Sequence, residues 1–113
     1  MITIYHNPRC RKSREGLALL EESGEKFEIV KYLEEPINEK ELNTIISKLG
    51  IKPIDLIRTN ESIWKSEYKG KKLTDQQTIK AMVKYPKLIE RPIVVNNNKA
   101  VIGRPKELIL DII

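Results

Sequence analysis

The chain is poor in the residues that define several kinds of protein. One cysteine among 113 residues permits no internal disulfide and excludes a secreted, cystine-stapled scaffold. That cysteine and a single histidine fall short of the ligand set of a zinc site, so no metal is expected. The five glycines form no Gly-rich phosphate motif. The longest aliphatic run, Leu17-Ala18-Leu19-Leu20, is far below the ~18 apolar residues of a membrane span. Met1-Ile2-Thr3-Ile4-Tyr5-His6 is too short and too polar for a signal peptide. No membrane partner is expected, and a cytoplasmic location is. Aromatic side chains make up 5% and no recognition helix stands out, so nucleic acid is not an expected partner.

What is present suits one compact domain over residues 1–113. Hydrophobic residues at 40% supply one modest core, and charged residues at 33% its surface. The net charge of +5 is unevenly spread. Residues 1–14 carry Arg9, Arg11, Lys12 and Arg14 with no acid; residues 15–47 carry nine acids against three bases; residues 48–113 carry fourteen bases against seven acids. Such asymmetry points to a local anion site rather than a general polyanion binder.

The alternation in Ile2-Thr3-Ile4-Tyr5-His6 predicts a half-buried strand. After Asn7-Pro8 a helix is expected from Cys10–Lys12 to Glu22, burying Leu17 and Leu20, with Gly24 as its C-cap. Phe27 to Tyr32 reads as a second strand. Asn38 and Glu41 form a capping pair for a helix with Leu42, Ile45, Ile46 and Leu49 on one face and Gly50 at its end. Pro53 to Ile57 fits a short helical turn, and Thr59 to Gly70 reads as loop with at most one turn. Thr74-x-x-Gln77 opens another helix, with Ile79, Met82 and Val83 buried and Pro86 limiting its extent. Ile93-Val94-Val95 and Ala100-Val101-Ile102 read as a hairpin across Asn96-Asn97-Asn98-Lys99. A final helix follows Gly103-Arg104, with Pro105 at its first position. The order β-α-β, helices, β-β-α matches an α/β, thioredoxin-like, four-stranded mixed sheet with a helical insert at about residues 38–88.

Chemistry centres on Cys10, at or just before a helix N-terminus, where unpaired N–H groups favour an anion. Arg9, Arg11, Lys12 and Arg14 lie nearby and His6 is four residues upstream. Each favours thiolate, the nucleophilic form. Cations at a helix start oppose its dipole; they occur at Arg9 and Arg11 and again at Arg104, as expected where an anion is held. Ser13 stands three residues after Cys10, placed either to donate to the thiolate or to cap the helix. Arg91-Pro92 precedes a strand, where thioredoxin-like folds carry a cis proline against the cysteine.

The ordered motifs His6-Asn7-Pro8-x-Cys10-x-x-Ser13-Arg14, Tyr32-Leu33-Glu34-x-Pro36, Arg58, Leu88-Ile89-x-Arg91-Pro92-Ile93-Val94-Val95 and Gly103-Arg104-Pro105 resemble the glutaredoxin-dependent arsenate reductase family (ArsC-like), essentially end to end. One pair departs: Arg11-Lys12 stands where well-characterised members carry Gly-Thr. The resemblance implies Cys10 as nucleophile, His6 as its assisting histidine and Arg58, Arg91 and Arg104 as oxyanion-binding arginines. Ser13, Arg14 and Pro92 support them. It also implies arsenate as substrate, glutathione as co-substrate, glutaredoxin as protein partner and no bound cofactor. The chemistry is consistent. Guanidinium forks bind tetrahedral oxyanions bidentately, and without them thiolate and arsenate repel. Arsenic(V) needs two electrons to reach arsenic(III), and a chain with one thiol must obtain the second sulfur from outside.

Two other functions use the same residues. A glutathione-linked thiol oxidoreductase would use Cys10 without arsenic chemistry. A thiol-stress regulator of the same fold would bind RNA polymerase; such regulators commonly switch through Cys-x-x-Cys, and position 13 is Ser.

Overall fold

The computed structural model describes residues 1–113 and divides into two compact units, Met1–Glu35 with Arg91–Ile113, and Pro36–Glu90. In the first unit, β1 (Ile2–Tyr5), α1 (Arg11–Ser23) and β2 (Phe27–Val30) form a βαβ crossover, and β3 (Ile93–Asn96) and β4 (Lys99–Ile102) form a hairpin. The sheet order is β2-β1-β3-β4. β1 lies parallel to β2 with Tyr5 opposite Val30, and antiparallel to β3 with Tyr5 opposite Ile93. The loop after β1 therefore leaves the sheet between the end of β2 and the beginning of β3.

The alternation read in β1 has its physical basis in the core. Ile2 and Ile4, two residues apart and so on one face, join Leu20, Val94 and Ile109 in a buried cluster. Fully burying an aliphatic side chain contributes about 1.5–3 kcal/mol, so this cluster fixes α1 against the sheet. Leu17, expected in the core, packs at its margin. Gly24 ends α1 at φ 76°, a left-handed conformation that a Cβ would penalise.

The second unit holds α2 (Glu39–Leu49), a 3-10 turn at Pro53–Leu56, α3 (Ser62–Glu67), α4 (Asp75–Lys84) and a 3-10 turn at Pro86–Leu88. Asn38 Oδ1 accepts the Glu41 N–H at 2.8 Å, and Thr74 and Gln77 form a reciprocal capping box. Leu42, Ile45 and Ile46 of α2 and Ile79 and Met82 of α4 are buried, whereas Val83 is only half-buried.

Some expectations need correction. β2 stops at Val30 because the chain turns at Lys31, whose carbonyl accepts both Glu34 N–H (2.9 Å) and Glu35 N–H (2.8 Å); Tyr32 is in the turn and fully buried. Within Thr59–Gly70 lies α3, which buries no residue and so leaves no apolar period to read. Trp64 and Tyr68 stack at 5.3 Å and Tyr68 meets Tyr85 edge-on at 6.2 Å. The β3–β4 strands each extend one residue further than expected, with Asn97 at φ 57° in the remaining turn. The final segment, Lys106–Asp111, is 3-10 rather than α-helical, and Pro105 is its N-cap, extended at ψ 161°. Only Ile109 anchors it in the core, and short, weakly anchored segments favour the tighter helix.

Candidate active site

β1 leads the chain into the site and α1 leads it away. Between them the loop is held by its own polar groups. Asn7 serves as its template: its carbonyl accepts the Cys10 N–H at 3.0 Å and its Oδ1 accepts the Arg9 N–H at 3.0 Å, an Asx-type turn. The Asn7 N–H donates to Ser13 Oγ at 3.0 Å, and the Arg14 guanidinium donates to the Pro8 carbonyl at 2.9 Å. The His6 N–H donates to the Val30 carbonyl at 2.9 Å, which ties the loop to the end of β2.

Cys10 is the N-cap of α1, with extended backbone (φ −93°, ψ 122°) and no side-chain capping hydrogen bond. Its half-buried thiol meets two arginines from the far end of the chain. Arg104 Nη2 donates to Sγ at 3.3 Å, while Arg104 Nε donates to the Arg91 carbonyl at 2.8 Å. The Arg91 side chain also hydrogen-bonds the sulfur. Burial alone pushes the thiol pKa up; the Arg91 hydrogen bond, the Ser13 N–H facing the sulfur and the charges of Arg91 and Arg104 outweigh it, and the net shift is downward. A thiol under those influences is ionised more readily than a free cysteine, and the thiolate is the reactive form.

Both arginines are placed by one packed contact. The Arg91–Pro92 bond is cis, as is Arg104–Pro105. The Pro92 ring sits against two glycines: a Cβ on Gly16 would lie 2.9 Å from Pro92 Cγ, and one on Gly103 would lie 3.0 Å from it, with Ile109 Cδ1 within 3.2 Å and 3.0 Å respectively. The Gly103 N–H closes the arrangement on the Pro92 carbonyl at 2.8 Å. Gly103 stands out in the sequence only within the Gly103-Arg104-Pro105 motif, and Gly16 not at all; a glycine inside an amphipathic helix was the available signal for Gly16.

Several predicted side chains sit elsewhere than expected. Ser13 neither caps α1 nor donates to the thiol through its hydroxyl. That oxygen lies 2.6 Å from His6 Nδ1 and accepts the Asn7 N–H; the backbone N–H of Ser13 is what acts on Cys10. His6 is buried at 3% exposure, and its pKa is lowered, first by burial and then by the charges of Lys31 and Arg14, with Ser13 opposing. A neutral imidazole adds no positive charge, so electrostatic help from His6 is replaced by orientation through Ser13. The local basic cluster is likewise not what stabilises the thiolate. Arg11 and Lys12 reach Glu15 at 3.4 Å and 3.7 Å on the surface, and Arg14 is spent on Pro8. Arg58 belongs to the Pro36–Glu90 unit. Its Nη1 donates to Glu90 Oε1 at 2.9 Å and its Nε lies 3.7 Å from Glu61 Oε1. No group of three His, Cys, Asp or Glu side chains is placed to hold a metal ion, and no helix is long and apolar enough to cross a membrane.

A single thiol at a helix N-cap, its pKa lowered by two arginines, on a four-stranded mixed sheet with a cis proline packed against α1, defines a thioredoxin-like protein built around one cysteine. The chain belongs to the ArsC family, whose model matches residues 5–112. It is 44% identical over 114 residues to an arsenate reductase of Haemophilus influenzae, covering 99% of this chain and 98% of that one. It is 46% identical over 114 residues to the uncharacterized protein YfgD of Escherichia coli, covering 99% and 96%. An arsenate reductase structure from Vibrio cholerae matches it with a TM-score of 0.94 at 44% identity, covering 99% of this chain and 97% of that one.

Proposed function

We propose that this protein is an oxidoreductase that reduces arsenate to arsenite through the Cys10 thiolate, with glutathione and glutaredoxin supplying the electrons. The observation that carries the reading is the meeting of Arg91 and Arg104 with the Cys10 sulfur, and the arsenate reductases among its relatives support the substrate. Two always-charged guanidinium forks beside a thiolate lower the repulsion between sulfur and an incoming oxyanion, and their donors match tetrahedral oxygens. Cys10 attacks arsenic and a hydroxyl leaves as water after taking a proton. A second thiolate then attacks the Cys10 sulfur. An S–S bond forms, the S–As bond breaks with its electron pair left on arsenic, and arsenic(V) becomes arsenic(III). Because the chain has one cysteine, the second sulfur comes from glutathione, and glutaredoxin returns the mixed disulfide to thiol.

His6 and Ser13 act as positioning residues behind Cys10, and Pro92 as the support of Arg91. Arg58 is assigned to the oxyanion by family resemblance; two carboxylates neutralise it in the structure, so Arg58→Ala needs its own measurement. The test is arsenate-dependent NADPH oxidation coupled through glutaredoxin and glutathione reductase. Turnover is expected to vanish in Cys10→Ser, and the arsenate KM to rise in Arg91→Ala and Arg104→Ala. A protein that reduces a small disulfide at a rate arsenate does not change would overturn the proposal.

A further inference from the structure

The arginines reach Cys10 from the segments around β3 and β4, and the residues that follow β1 and β2 line a groove with no assigned use. The groove encloses about 310 Å³ and is lined by His6, Asn7, Arg9, Lys31, Leu33 and Glu34, among others. That volume falls at the lower end of small-ligand pockets. Sheet order fixes its side. The Cys10 loop follows β1; Arg91 precedes β3 on one neighbour of β1, and Lys31–Glu34 follow β2 on the other. Open α/β sheets bind ligands beyond the carboxyl ends of their strands, and this groove lies beyond those of the parallel pair β1 and β2.

Its charges are specific. Arg9 and Lys31 are cationic, Glu34 is anionic, and all three are exposed and outside the ion pairs of the chain. Leu33, at 39% exposure, adds apolar surface between them. Two cations and one anion complement a ligand with two carboxylates and one ammonium. We infer that this groove seats the electron-donating thiol, a small peptide thiol with the charge pattern of glutathione. The inference rests on the function proposed above and adds where the second sulfur enters.

Chemistry favours that side. Displacement at a sulfur proceeds with the incoming thiolate roughly opposite the leaving atom. With arsenic held on the Arg91–Arg104 flank, the attacking thiolate approaches Cys10 from the β2 flank. The S–S bond forms there, arsenic departs on the arginine side with the bonding electrons, and the two anions never share one cation. Arg9, which lines the groove, immediately precedes Cys10 in the loop after β1.

S-methylglutathione, which cannot react, provides the probe. Titrated into ¹⁵N-labelled whole protein, it is expected to give saturable amide shifts centred on Lys31, Leu33 and Glu34. Lys31→Glu should weaken it several-fold, and added salt should weaken it further through screening. Lys72→Glu, which changes an exposed lysine far from the groove in sequence, serves as the charge control and should leave binding as it was. Shifts centred instead on Arg91, Ile93 and Arg104, no saturable shifts at millimolar ligand, or equal weakening by both charge reversals would each overturn the inference. Arsenate turnover is scored separately. Binding in the groove without arsenate turnover leaves the groove and removes the function; turnover without groove shifts does the reverse.

Discussion

Gly16→Ala tests the packing that sets both arginines, because two opposing effects meet at one atom. In an open helix the change would stabilise by about 0.8–1.0 kcal/mol, since alanine has less backbone entropy to lose. Here the new Cβ would lie 2.9 Å from Pro92 Cγ and 3.2 Å from Ile109 Cδ1, against the roughly 3.5–4.0 Å of an unstrained carbon contact. Ile109 Cδ1 is a flexible chain end and can yield. Pro92 is a rigid ring buried to below 2% exposure, held by the Gly103 N–H on its carbonyl. Overpacking of this kind costs about 1–3 kcal/mol, so the balance is a net loss of up to about 2 kcal/mol. In a domain of this size that is several degrees of melting temperature. Pro92 carries Arg91 with it, so the Arg91 hydrogen bond to the thiol weakens and the Cys10 pKa moves back toward that of a free cysteine. Thermal unfolding by circular dichroism and thiolate absorbance against pH measure the two effects. A Gly16→Ala protein as stable as the parent, with an unchanged thiol titration, would refute the argument.

Three further outcomes follow from the site. Arg104→Ala removes the 3.3 Å donor to Sγ and should raise the Cys10 pKa, read as slower iodoacetamide alkylation at pH 6. Ser13→Ala leaves its backbone N–H in place but strands the buried Asn7 amide that donates to Ser13 Oγ; denaturant unfolding should show a loss of about 1–3 kcal/mol, with a smaller change in alkylation rate than Arg104→Ala gives. The lowered His6 pKa fixes a sign for acid stability. Folded and unfolded chains both hold it neutral above about pH 6.5, and below that the unfolded chain takes the proton first. Stability is therefore lost as pH falls from about 6.5 through the folded value. Urea midpoints at pH 7.5 and 5.5 should fall less in His6→Gln than in the parent, and an equal fall would count against a neutral buried imidazole.

The parts of the fold that were legible are those encoded within one turn of chain. Asn38 with Glu41, Thr74 with Gln77, and Gly24 and Gly50 mark helix ends by backbone hydrogen bonding and left-handed φ, which need no tertiary partner. The β3–β4 hairpin and the leading βαβ unit follow from alternation and turn chemistry. α3 was not legible, because a helix that buries nothing has no stripe. The site divides along the same line. Cys10 at a helix start could be read from its neighbours, yet those neighbours, Arg11 and Lys12, turn to Glu15, an i,i+3 and i,i+4 reach that any exposed helix offers. What acts on the sulfur comes from residues 91 and 104, brought there by sheet order; Arg104 could be read as a cation at a helix start, but only the family resemblance brought both to the cysteine in advance.

His6 shows why proximity along the chain misjudges charge. Four residues from a cysteine, a histidine reads as a cation that favours the thiolate. Once buried beside Lys31 and Arg14, the same ring loses its proton more readily, because desolvation and like charge both disfavour the imidazolium. Burial first, and then the very cations that would have added to a positive field, favour its neutral form instead. Its influence then passes through a hydrogen bond, from Nδ1 to Ser13 Oγ at 2.6 Å, and Ser13 presents its own N–H to the sulfur. Positive charge at this site is supplied by guanidiniums, which do not titrate, and the histidine orients. Thiol reactivity should therefore follow the ionisation of Cys10 through the range where His6 titrates, with no second inflection. A second inflection below pH 6.5 that disappears in His6→Gln would restore the imidazolium to the mechanism.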